Sequence, residues 1–98
     1  MSTATQNRVD DLLSRMTLEE KLAQIGSRWM HELQTGGALD PIKIQQHLHL
    51  GIGQITRPGG KTTLPPLALA QAANQLQRYL VEETRLGIPA ILHEETCC

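Results

Sequence analysis

Residues 79 to 95 read YLVEETRLGIPAILHEE, and in this stretch the chain changes from a helical to an extended pattern. Gly87 offers a helix stop and Pro89 prevents the helix from resuming. Ile88 to Leu92 is almost continuously apolar, which suits a parallel strand covered on both faces better than a half-wetted antiparallel one. His93, Glu94 and Glu95 follow at its C-terminal end, where α/β folds gather their ligands.

Upstream, residues 67 to 86 give the clearest helix, with Ala72, Ala73, Leu76 and Leu80 as its inward stripe and Gln71, Gln75, Gln77, Arg78 and Glu82 mostly outward. Before it, GIGQITRPGG (51 to 60) reads as a strand and its exit loop, turned by Pro58-Gly59-Gly60. Strand, helix and strand make one βαβ unit, so the fold class is α/β. Gly51 and Gly53 precede their strand, whereas a dinucleotide site needs them after it. Arg57 stands at the C-terminal end of this expected first strand, as a candidate for ligand binding or for an ion pair with a neighbouring loop.

Nearer the start, Val9, Leu12, Leu13 and Met16 recur at helical spacing from Arg8 onward, after a polar stretch (1 to 7) expected to be disordered. Thr17 and Glu20 have the form of a capping box, with Leu18, Leu22 and Ile25 as the apolar face and Glu19, Glu20 and Lys21 solvated. Residues 27 to 40 read as irregular, with a loop at Gly36-Gly37. There Trp29 is a candidate for an exposed binding surface or a partly buried cover. Asp40-Pro41 is a helix start. His47 and His49 lie two apart, face different sides of that helix and have no third ligand in sequence reach, so no metal is expected.

Three stretches together resemble the N-terminal end of the family 3 glycoside hydrolases, the β-glucosidase and β-xylosidase group. They are VDDLLSRMTLEEKLAQI (9 to 25), Gly51 to Gly53 with the strand after them, and LVEETRLGIPAILHEE (80 to 95). The resemblance implies residues 1 to 98 as part of that N-terminal domain, the opening βα units of an incomplete TIM-type (β/α)8 barrel. A β-linked glucoside, xyloside or oligosaccharide is the implied substrate, hydrolysed at terminal β-D-glucosyl or β-D-xylosyl residues. Glu95 matches the acidic residue that binds a sugar hydroxyl, with Trp29 and Arg57 as weaker substrate-binding candidates. The family's nucleophile and acid/base lie beyond residue 98, so no catalytic residue is expected in this chain. The remainder of the barrel and a second domain are implied for a complete parent. Family members commonly continue toward His-Gly, where this chain has Thr96, Cys97 and Cys98.

Length and composition set bounds. A whole barrel needs about 250 residues, and a strand running into HEETCC is expected of an incomplete one. Glu94 and Glu95, adjacent on an extended chain, point to opposite faces and make a poor hydrolytic pair; Glu94 is expected to face away from the pocket. A nucleophilic pair of Cys97 and His93 fails on distance, since four residues of extended chain span about 13 Å. Nine Lys plus Arg against ten Asp plus Glu leave a net charge of −1, with no basic cluster for nucleic acid. No run is long and apolar enough for a membrane span, no leader pattern is seen, and the two adjacent cysteines make no disulfide framework, which gives a cytoplasmic expectation. No cofactor is expected. The alternative function is a small non-catalytic interaction module, or a functionless remnant, derived from the same domain.

Overall fold

A computed structural model of the chain describes residues 2 to 60 and 64 to 94. Helix α1 (Thr3–Arg15) begins five residues before the apolar spacing places it, because the Ser2 hydroxyl accepts the Thr5 N–H and caps the first turn. Helix α2 (Leu18–Gln24) carries the expected capping box: Thr17 takes the Glu20 N–H, and Glu20 takes the Thr17 N–H.

The faces of α2 follow the sequence reading only in part: Glu19 and Lys21 are solvated as expected, but the apolar residues are not the buried ones. Glu20 is buried, while Leu18, Leu22 and Ile25 are exposed. The cause is Arg85, 65 residues away, whose guanidinium binds the Glu20 carboxylate through both Nε and Nη2 and also reaches the Arg15 carbonyl. A charge can be turned inward when a partner and hydrogen bonds meet it there.

Strand β1 (Ser27–Trp29) lies in the stretch that reads as irregular, and a 3-10 turn (Met30–Leu33) follows it. The Gly36-Gly37 loop is a tight hairpin joining β2 (Gln34–Thr35) to β3 (Ala38–Leu39), with positive φ at both glycines, as a two-residue hairpin of this twist requires. Helix α3 (Pro41–Leu48) starts as read, with the Asp40 carboxylate accepting the Ile42 N–H. Strand β4 (Gln54–Thr56) is therefore the second strand of its sheet and not the first.

Helix α4 (Pro66–Glu83) buries Ala72, Leu76 and Leu80 of the expected stripe, while Ala73 is only half-buried. It ends four residues short of Gly87. The backbone turns extended at Thr84, whose hydroxyl donates to the Leu80 carbonyl. Gly87 serves the turn that follows: its φ is +65°, and an added Cβ would stand 2.9 Å from the Val81 carbonyl oxygen. Ladder pairing is confined to β5 (Ile91–His93), later than the 88 to 92 expected. Just ahead of it, the Gln77 amide, read as outward, accepts the Ala90 N–H at 2.9 Å and donates to the Ala90 carbonyl at 2.7 Å.

The three main strands are parallel in the order β1-β4-β5, an α/β arrangement with a partial, unclosed sheet. One face packs on α3 and α4 in a core that includes Leu33, Leu48, Ile55, Leu76 and Leu80. Ser27, Trp29, Gln54, Ile91 and His93, on alternate positions, are exposed. Expected cover on both faces of the last strand is thus present on one only, and Ile91 remains 66% exposed. The radius of gyration, 14.5 Å, exceeds the roughly 13 Å of a compact domain this long, in keeping with an α1 that has no buried residue.

Candidate functional site

The register of the sheet brings chemistry to one edge. Trp29 lies beside Thr56, and Thr56 beside His93, so the last residues of β1, β4 and β5 form one layer at the C-terminal ends of the strands. Strand alternation gives the three side chains the same face. The Thr56 hydroxyl and His93 Nε2 are 3.1 Å apart. Trp29 is 37% exposed and meets the His31 ring edge to face, at a centroid distance of 5.6 Å and an interplanar angle of 66°.

Arg57 follows this layer with an unusual backbone. Its φ is +53°, a left-handed conformation that a side chain enters only at a cost of about 1 kcal/mol or more. Two bonds close the backbone there: the Arg57 N–H donates to the His93 carbonyl at 2.7 Å, and the Arg57 carbonyl accepts the Gly60 N–H at 3.0 Å. The guanidinium carbon lies 5.5 Å from the centre of the Trp29 ring, a cation–π arrangement. Arg57 makes no ion pair among the described residues, contrary to the salt bridge considered for it, and its Nε is buried without a hydrogen-bond partner there. Gly60 explains how tightly the turn closes, since a Cβ on it would stand 2.6 Å from that Nε.

Glu94 does not turn away idle. Its Oε1 accepts the Gly59 N–H at 2.6 Å, across 35 residues of sequence, so the exit of β5 holds the exit turn of β4. Glu95, the first candidate for sugar binding, lies outside the described residues, as do Thr96, Cys97 and Cys98. The structure thus brings together Trp29 and Arg57 of the sequence candidates and adds Thr56, His93 and Glu94. The pairings of Thr56 with His93 and of Glu94 with Gly59 have no sequence signal, because the register that makes them is set by packing.

Chemically the corner offers a flat aromatic face, a guanidinium that only donates, a carboxylate that only accepts, and a hydroxyl–imidazole pair that does either. Such a set suits a polyhydroxylated ring, whose hydroxyls need both kinds of partner and whose C–H faces need an apolar plate. Among the described residues, no helix is long and apolar enough to cross a membrane, and no three of His, Cys, Asp or Glu gather as metal ligands. His49 Nδ1 is 3.1 Å from the Gln45 carbonyl of its own helix.

No family model matches the chain. Over 101 aligned residues the chain is 40% identical to a protein of Formosa agariphila named "Putative beta-xylosidase", an alignment covering 97% of this chain and 13% of that protein. The chain is therefore similar over most of its length to a part of a protein named as a beta-xylosidase, in agreement with the resemblance of its MTLEEK and RLGIP motifs to the family 3 glycoside hydrolases. It spans about 13% of the length of the relative it matches.

Proposed function

We propose that this chain supplies the opening βα units of a (β/α)8-type barrel in a glycoside hydrolase acting on terminal β-D-xylosyl or β-D-glucosyl residues. Its part in the reaction is to bind and orient the sugar, and bond cleavage falls to residues outside it. The observation that carries this reading is the in-register layer Trp29, Thr56, His93 at the C-terminal ends of three parallel strands, the end at which barrel enzymes hold their substrates. An exposed sheet face and an unclosed strand order support an arrangement that further βα units complete.

In this role Trp29 provides the platform and Arg57 donates to hydroxyls at its rim. Glu95 accepts from a hydroxyl of the terminal sugar, with bonds that a full negative charge strengthens. Holding the ring in place lowers the entropic part of the barrier without any of these groups acting as nucleophile or acid. A second reading, an interaction module, draws on the exposed Leu18, Leu22 and Ile25 of α2; it requires a protein partner and gives no sugar response at Trp29.

The test is a chimera in which this chain replaces the matching segment of the Formosa agariphila relative, with folding checked by circular dichroism. The chimera is expected to hydrolyse aryl β-xylosides or β-glucosides, and residues 1 to 98 alone are expected to give no turnover. Glu95→Gln in the chimera should lower kcat/KM by about 100-fold, equivalent to about 2.7 kcal/mol of transition-state binding. A folded Glu95→Gln chimera with undiminished kcat/KM would reject the assignment, and turnover by the 98-residue chain would reject the division of labour.

A further inference from the structure

A strained residue persists only where its surroundings over-determine it, and Arg57 is the one non-glycine residue with positive φ among those described. Its guanidinium lies over Trp29, yet its buried Nε has no hydrogen-bond partner there to fix its direction. The turn Pro58-Gly59-Gly60 closes onto that side chain through Gly60, at distances that leave no room for a Cβ.

The turn is itself tied down from outside. The Glu94 carboxylate accepts the Gly59 N–H at 2.6 Å, and a Cβ on Gly59 would lie 3.2 Å from the same Oε1. A charge-assisted bond of this kind is roughly twice as strong as a neutral one. Glu94, Gly59, Gly60, Arg57 and Trp29 therefore form one line of contacts from the end of β5 to the end of β1.

We infer that Glu94 is a positioning residue: by holding the β4 exit turn through Gly59 it keeps Arg57 in its left-handed conformation, and so keeps the guanidinium against the Trp29 ring. Its meaning for sugar binding rests on the proposed function, whereas the contact line is measured without any sugar, so the two can fail separately. A sugar platform whose cation is set by an acid on another strand also ties the geometry of β1 to the placing of β5.

Trp29 is the only tryptophan, so fluorescence and near-ultraviolet dichroism of the 98-residue chain report on this ring directly. Glu94→Ala should shift the Trp29 emission and raise the exchange rate of the Gly59 amide proton by roughly tenfold. Glu94→Gln, which keeps a carbonyl acceptor, should restore most of both signals. Arg57→Met should change the Trp29 signal in the same direction, and adding Glu94→Ala to it should change that signal no further, since both act through one contact. Faster exchange at Gly59 with an unchanged Trp29 signal would overturn the inference by making the bond purely local. So would additive effects in the double variant, or a wild-type chain with no near-ultraviolet signal from Trp29.

Discussion

Ile55 and Ile91 lie one residue out of step on neighbouring strands, and the difference puts them on opposite faces of the sheet. Ile55 is fully buried on the face packed by α3 and α4, whereas Ile91 is 66% exposed on the other. Truncating Ile55 to alanine removes buried methyl groups and leaves a cavity, at a cost of about 2 to 5 kcal/mol. Full burial of such a side chain contributes about 1.5 to 3 kcal/mol, and Ile91 keeps about a third of its surface covered, so Ile91→Ala should cost only about 0.5 to 1 kcal/mol. The β-propensity lost on replacing isoleucine acts at both positions and does not create the contrast.

A chain of this length has a total stability near the low end of about 5 to 15 kcal/mol, and lower still with one sheet face uncovered. Ile55→Ala should therefore show little folded signal even without denaturant, while Ile91→Ala should unfold in urea at a midpoint close to that of the parent. Ellipticity at 222 nm and Trp29 emission give the two readings. In the chimera, where further strands are expected to cover the second face, the cost of Ile91→Ala should rise into the range of Ile55→Ala. Equal losses at the two positions in the 98-residue chain would refute the one-sided sheet, and an Ile91→Ala cost that stays small in the folded chimera would refute closure over that face.

Two further outcomes follow from the packing. Gly53→Ala would bring a Cβ to within 1.9 Å of the Gln24 carbonyl oxygen, backbone against backbone, and should abolish the folded dichroism signal; Gly37→Ala, with φ +84° but nothing within 4 Å, should cost only about 1 kcal/mol in a thermal melt. The Arg85 guanidinium, followed by the Thr17 backbone N–H, lowers the Glu20 carboxyl from 4.5 to about 2, so between those values the unfolded chain binds more protons and stability falls as pH falls. Urea midpoints compared at pH 6 and at pH about 2 should show Arg85→Met less stable than the parent at the higher pH, with the gap narrowing at the lower; a gap independent of pH would refute the brace.

Local signals in the sequence translated well into structure. The Thr17 and Glu20 box, the Asp40-Pro41 start and, apart from the half-buried Ala73, the stripe of Ala72, Leu76 and Leu80 all concern residues within a turn or two of one another, and appear where their spacing puts them. Strand β1 is not legible in the sequence because three residues, Ser-Arg-Trp, carry too little periodicity, and its extended form is fixed by pairing with β4. The buried Glu20 of α2 has the same origin at longer range: Leu18, Leu22 and Ile25 make a good apolar stripe, but a helix turns toward whatever partner the fold supplies, and here that is Arg85 binding Glu20.

The candidate site shows the same division. Trp29 and Arg57 are legible as residue types suited to a sugar, yet neither the sequence around Trp29 nor that around Arg57 names the other, and their stacking depends on a register that pairs residues 27 apart in sequence, in which Trp29 falls beside Thr56. Glu94 is the sharper case. Alternation along an isolated strand sends it away from the pocket, and that geometry is sound as far as the strand runs; but β5 ends at His93, so Glu94 is released from alternation and free to reach Gly59. An acid dismissed by a periodicity rule becomes connected because it stands one residue past the rule's domain, and at the C-terminal ends of barrel strands, where strands stop and loops begin, such residues are the ones that hold loops in place.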